Sequence, residues 1–167
     1  EIISYVISGM LEHRDNMGSH EIMKAGEVQR ISAGKGILHS EYNGSANEEV
    51  HFLQIWIIPN MLDLRPSYEQ KAFNRKSMTN RLTLLVSPDG HNGSLEIHQD
   101  AEIWQILLEE NKDTEFAINH SRKIWIQVAE GSVSTNEHLL VAGDGLAVSD
   151  EELAARRAAF VPPAPKH

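Results

Sequence analysis

The residues best placed for chemistry in this chain lie in the run Gly34-Lys35-Gly36-Ile37-Leu38-His39-Ser40-Glu41-Tyr42. If Leu38 to Tyr42 is a strand, side chains alternate with period two, so His39 and Glu41 point to one face. An imidazole beside a carboxylate suits a borderline divalent ion such as Fe(II), Mn(II), Ni(II) or Zn(II). The same two groups also make a simple acid–base pair, or a polar strand face on which they hydrogen-bond each other. Spacing alone leaves the three open. The chain has no cysteine, so disulfides and thiolate ligands are excluded and any metal must use His, Asp or Glu. No Gly-rich phosphate loop or Ser-His-Asp nucleophile pattern stands out.

The other histidines read differently. His13, His20 and His91 lie in turn-rich stretches and are expected in solvent. His51 opens an apolar strand, where it could face a barrel interior as a packed or hydrogen-bonded core residue. His98 stands beside Gln99 and Asp100, and His120 and His138 have no partner at metal spacing. Trp56, Trp104 and Trp125 sit in strand patterns and are read as core rather than as stacking surfaces for a substrate.

Positioning these groups falls to strands. Ile2 to Ile7, Val28 to Ile31, Val50 to Ile58, Leu82 to Val86, Leu95 to His98, Trp104 to Leu108 and Ile124 to Val128 are short and rich in β-branched and aromatic residues. They are separated by turn signals such as Asn43-Gly44, Ser87-Pro88-Asp89-Gly90 and Asn92-Gly93. That spacing predicts antiparallel sandwich or small-barrel units. A repeat is visible too. Val6-Ile7-Ser8-Gly9 leads to Ala25-Gly26-Glu27, and Val128-Ala129-Glu130-Gly131 leads to Ala142-Gly143-Asp144. The polar stretch 59–75, with two prolines, reads as the linker between the halves. Residues 150–159 have helix-forming composition with acid first and base last, so a frayed or helical tail beside an exposed sheet edge is expected.

Lys and Arg total 15 and Asp and Glu 24, a net charge of −9 that argues against direct binding to a phosphate backbone. The longest apolar run, Ile55-Trp56-Ile57-Ile58, is too short to span a bilayer, and the cysteine-free composition suits the cytoplasm. The opening on Glu1, directly ahead of a β-rich stretch, predicts a chain that starts inside a truncated domain.

The segment YVISGMLEHRDNMGSHEIMKAGEVQRISAGKGILHSEYN, from Tyr5, closely resembles the first cupin domain of the pirin family, including bacterial members described as quercetin 2,3-dioxygenases. LQIWIIP, YEQKAFNR, LTLLVSPDGHNGSLEIHQDAEIW, RKIWIQVAEGSV and AGDGLAVSDEE continue the resemblance to about residue 152. It implies an all-β bicupin (double-stranded β-helix, or jelly-roll), with an incomplete first domain over 1–66 and a second over 67–167. It further implies a metal held by three histidines and one glutamate of the first domain. His39 and Glu41 match the His-x-Glu of that set, Glu41 also being able to take a substrate proton. Glu1 resembles the acidic residue that follows the family's His-x-His, so those two histidines are expected upstream of Glu1.

The function so implied is a quercetin 2,3-dioxygenase-type oxidoreductase using Fe(II) or another divalent transition metal, bound weakly by this chain, with a flavonol-like substrate. The competing readings are a non-catalytic metal-binding or protein-interaction module of the pirin co-regulator type, capable of binding a protein partner or itself, and an inactive remnant. The second half is expected to be structural.

Overall fold

The computed structural model of the chain describes residues 1–116, 121–135, 138–148 and 156–160. Among them there are sixteen strands and no α-helix. In order these are β1 (Ile2–Ser8), β2 (Met10–Asp15), β3 (His20–Lys24), β4 (Glu27–Ser32), β5 (His39–Asn43), β6 (His51–Trp56), β7 (Ser67–Ala72) and β8 (Thr83–Ser87). There follow β9 (Leu95–Glu96), β10 (Ile103–Gln105), β11 (Asp113–Phe116), β12 (Ile124–Gln127), β13 (Ser132–Thr135), β14 (His138–Val141), β15 (Gly145–Val148) and β16 (Arg156–Phe160).

The chain divides into two compact units. The first comprises residues 1–77 and 82–105, the second 78–81 and 106–167. In the first unit one sheet runs β6-β1-β4-β7, a second β3-β2-β5 and a third β10-β8-β9. Every pairing is antiparallel except β8 with β9. The apolar, β-branched strand β1 lies inside its sheet, pairing with β4 and β6 at once. Both of its faces are covered, with Ile3 1% and Val6 0% exposed. Val6, Leu11 and Met23 form one buried cluster, with Val50 and Phe52 packed against it.

In the second unit β12 pairs with β15, and a four-stranded sheet runs β11-β16-β13-β14. The repeat seen in the sequence is built into the backbone. Gly26 donates its N–H to Val6 O at 2.8 Å, and Gly143 donates to Val128 O at 2.9 Å. Both glycines have positive φ, 87° and 94°, which a residue with a Cβ rarely adopts.

Several sequence expectations give way. The stretch read as a linker contains β7, which pairs with β4 through six residues and is tied to it by the ion pair of Arg30 and Glu69 at 2.9 Å. Residues 156–160, read as the end of a helix, form a strand between β11 and β13. Long-range ladder pairing there overrides local helix propensity. Residues 149–155, which carry the acidic start of that segment, and His120 lie outside the described residues. The three tryptophans are not core: Trp56 is 75%, Trp104 47% and Trp125 65% exposed. Each instead donates its indole N–H to a side chain two residues away, Gln54, Glu102 and Gln127 respectively.

Candidate metal centre

His39 and Glu41 stand two residues apart on β5 and share its inward face. Ser40 between them is exposed and Leu38 before them is 75% exposed. The approach to β5 is fixed from two sides. Asn16 donates its N–H to Leu38 O at 3.0 Å, and its Oδ1 accepts the Leu38 N–H at 3.2 Å. Gly34, at φ 50°, sits where an added Cβ would lie 2.0 Å from Leu64 O, so only glycine fits this turn.

β5 pairs with β2 in a register that sets His13 opposite Glu41 and Asp15 opposite His39. His13 is therefore 0% exposed, contrary to its placement in solvent from sequence. The charged neighbours Glu12, Arg14 and Asp15 suggest a turn, but they belong to a strand with one buried face. The His13 ring stacks on Tyr68 at 4.6 Å and on His39 at 5.7 Å between centroids. Its Nε2 bonds Asp15 Oδ2 at 3.1 Å, while its buried Nδ1 has no partner. Burial pushes the Asp15 carboxyl up, but the His13 ring and the amides of Ser19 and Met17 outweigh it and hold the group at about 2. Burial first, then the charges of Glu21, Asp15 and Glu41, push the Tyr68 hydroxyl up. A shallow open cleft lined by Arg14, Asp15, Leu38, His39 and Ser40 lies over this corner.

Glu41 is held by three side chains from three strands. Gln29 of β4 donates its Nε2–H to Oε1 at 2.6 Å, and Ser4 of β1 donates its hydroxyl to the same oxygen at 3.4 Å. Gln54 of β6 donates to Oε2 at 2.7 Å. Ser4, Gln29 and Gln54 lie abreast across the sheet, because Ser4 pairs with Gln29 on one side and Gln54 on the other. The sequence reading found none of the three. The available signal was a lone polar residue on an otherwise apolar strand face, Ser4 between Ile2 and Val6.

The remaining histidines take other places. His51 is exposed at the bulged end of β6, opposite Ser8. His98 Nδ1 bonds the buried carboxylate of Glu1 at 2.9 Å, and Glu1 also accepts the Ser32 hydroxyl at 2.7 Å. His20 and His91 are exposed beside Glu12 and Asp89, and His138 is exposed on β14.

The donor types suit a divalent ion, since the His39 ring nitrogens make no hydrogen bond among the described residues and a carboxylate shares their face. The count does not close a shell. No three His, Asp or Glu groups converge at metal-holding distance among the described residues, and Glu41 already accepts bonds on both oxygens.

Comparison with known proteins fits this geometry. The family profile described as pirin matches residues 1–57, and one described as the quercetinase C-terminal cupin domain matches 84–159. The chain is 43% identical over 152 residues to a quercetin 2,3-dioxygenase of Escherichia coli (strain K12), covering 91% of this chain and 64% of that protein. The chain thus spans under two thirds of that relative. The crystal structure of YhhW from Escherichia coli superimposes with a TM-score of 0.88 at 39% identity, covering 99% of this chain and 73% of that one. YhhW described as a bacterial pirin in complex with nickel(II) gives 0.83 at 38% identity, covering 98% and 72%. With both family profiles matched and solved pirin structures superimposing along nearly its whole length, the chain belongs to the pirin family.

Proposed function

We propose that the chain supplies part of a pirin-type metal centre, with His39 and Glu41 as donors, in a protein whose intact form is a quercetin 2,3-dioxygenase-type oxidoreductase. The observation that carries this reading is the imidazole of His39, which makes no hydrogen bond among the described residues, beside the oriented carboxylate of Glu41 on one inward strand face. The names of the relatives support the substrate class, a flavonol-like small molecule, and the nickel(II) complex of YhhW supports a divalent ion. Fe(II) or a similar ion is proposed here, with His39 and Glu41, the pair that matches the His-x-Glu of the family resemblance, as its donors from this chain. Such an ion would act as a Lewis acid for a bound oxygen anion. The chain's own contribution is to orient Glu41 through Gln29, Ser4 and Gln54, and to keep His39 stacked against a buried His13. Glu41 is proposed as the carboxylate able to take the substrate proton.

The same proposal keeps two cupin domains, read from sequence as 1–66 and 67–167, with one profile match over 1–57 and the other over 84–159, although β7 and residues 82–105 pack with the first compact unit. It places the protein in the cytoplasm on its cysteine-free composition. No helix among the described residues is long and apolar enough to cross a membrane.

A second reading, a non-catalytic metal-binding or protein-interaction module, draws on exposed apolar side chains around the end of β6: Trp56 at 75%, Ile58 at 85% and Leu62 at 90%. The deciding experiment measures metal content and flavonol consumption for this chain and for a version extended upstream in its gene. Weak metal binding and no turnover by the short chain, with stoichiometric metal and turnover by the long one, is the expected result. Stoichiometric metal and turnover in the short chain would defeat the two-donor account. Metal without turnover in the long one would favour the interaction module.

A further inference from the structure

We propose that Gln54 is a positioning residue for Glu41, and that Glu41, Gln54 and Trp56 form a relay carrying the state of the carboxylate to an exposed indole. Its metal arm rests on the reading above; its metal-free arm does not.

The two oxygens of Glu41 are held unequally. Oε1 accepts from Gln29, which is 0% exposed and also donates to Ser4 Oγ at 3.0 Å. Among the described residues Oε2 accepts from Gln54 alone, an exposed residue. Oε2 is therefore the oxygen with acceptor capacity left for a ligand, and a ligand arriving there must share with the Gln54 amide or displace it.

That amide is itself oriented. Its Oε1 accepts the indole N–H of Trp56 at 3.0 Å. An indole N–H can only donate, so the amide oxygen must face Trp56 and the NH₂ must face Glu41. The reversed amide would set N–H against N–H at one end and carbonyl against carboxylate at the other. Trp56 is three-quarters exposed, so the hydrogen bond, rather than core packing, anchors its polar edge. A chain of charge-assisted and neutral hydrogen bonds polarises along its length, so a change at Glu41 Oε2 reaches the indole through one amide.

The second unit contains a natural control. Trp125 donates its indole N–H to Gln127 Oε1 at 3.3 Å, but the Gln127 amide donates onward to the backbone oxygen of Asp144 at 3.0 Å. The same indole–amide pair there ends on a carbonyl and has nothing to report.

The test reads the indole N–H resonances of the three tryptophans by NMR in this chain, assigned by single Trp→Phe replacements. Glu41→Leu is expected to shift the Trp56 signal and leave Trp125 in place. Gln54→Leu is expected to shift Trp56 further, and Glu41→Leu in the Gln54→Leu background to add nothing. Glu41→Gln, which keeps the shape of the side chain, guards against misfolding of the leucine variant and is expected to give a smaller shift of Trp56 alone. No shift of Trp56 in either Glu41 variant, an equal shift without Gln54, or a matching shift of Trp125 overturns the relay. In the metal arm Zn(II), a d¹⁰ ion, is titrated into this chain and into the upstream-extended protein, with bound metal measured directly. Bound zinc that moves the Trp56 signal in the parent but not in Gln54→Leu supports the relay, and bound zinc that leaves Trp56 unmoved overturns it. Zinc bound by neither protein would count against the metal reading, and the metal-free arm would then decide the relay alone.

Discussion

In the first repeat Val6 O accepts from Gly26, and in the second Val128 O accepts from Gly143, through hairpins of the same design. Two residues before each valine and three after each glycine, the paired strands bring the inner-face residues side by side. In the first repeat these are Ser4 and Gln29; in the second they are Ile126 and Leu146. One position earlier on the other face, Ile3 is 1% exposed while its counterpart Trp125 is 65% exposed. One scaffold is used twice, once with a polar pair that grips a carboxylate and cover on both faces, and once with an apolar pair and a bare outer face. The difference teaches that the backbone plan carries no function by itself. What sets the first copy apart is a polar pair inside the strand pair, Gln54 of β6 abreast of it, and β5 laid against all three.

The contrast can be broken most forcefully at the covered face. Ile3→Ala is expected to cost about 2–5 kcal/mol, the range for opening a cavity in a packed core. Trp125→Ala at the matching position should cost under about 1 kcal/mol, as for exposed sites. Urea unfolding of the two variants compares them, and equal losses would show that the outer face of the second repeat is covered after all.

Next in size is the inner-face pair. Gln29→Leu removes the buried donor to Glu41 and Ser4 and is expected to cost about 1.5–3 kcal/mol, as for a hydrogen bond to a charged group. Adding Glu41→Leu should return part of that loss, since removing both partners is milder than orphaning one. Strict additivity in the double-mutant cycle would mean that the two side chains are not coupled.

Acid sharpens the comparison further, because Asp15 belongs to the first repeat only. Its carboxyl is held at about 2 against an ordinary 3.8, so the unfolded chain takes up the proton first as pH falls. The stabilisation from Asp15 is complete above about pH 4 and is lost as the pH drops from there towards about 2. His13→Phe removes the ring donor and should flatten the fall in stability within that window, measured by thermal midpoints across pH. An unchanged slope would exclude His13 as the partner that matters. Smallest of all, Gln127→Leu in the second repeat should change stability by less than about 0.5 kcal/mol, where a larger effect would erase its contrast with Gln54.

The strands legible from sequence were those that carry their own signal. Ile2–Ser8 and Ile124–Gln127 are dense in β-branched and aromatic residues. β2 and β3 were not legible, because Glu12, Arg14, His20 and Glu21 make them look like turns. The tryptophans were misjudged because alternation says which residues share a face and nothing about whether that face is covered. Helix propensity in the segment 150–159 was real but local, and two ladder partners more than twenty residues away outweighed it. For the site, alternation alone placed His39 with Glu41. Gln29, Ser4 and Gln54 come from three strands whose mutual register a single sequence does not reveal. His13 was hidden by the charges on either side of it.

The first unit draws on residues 82–105 as well as 1–77. Glu1 and Tyr5, which flank Ile3 on one face of β1, are bonded by His98 and Gln105. A ribosome delivers these pieces in order, at roughly 5–20 residues per second. For an interval on the order of seconds the nascent chain therefore holds β1, β4 and β6 without the residues that meet that face. Long-range pairing is the slow part of folding in any case. This unit is complete only once residue 105 is made, and until then one face of β1 lacks the partners it has in the folded chain.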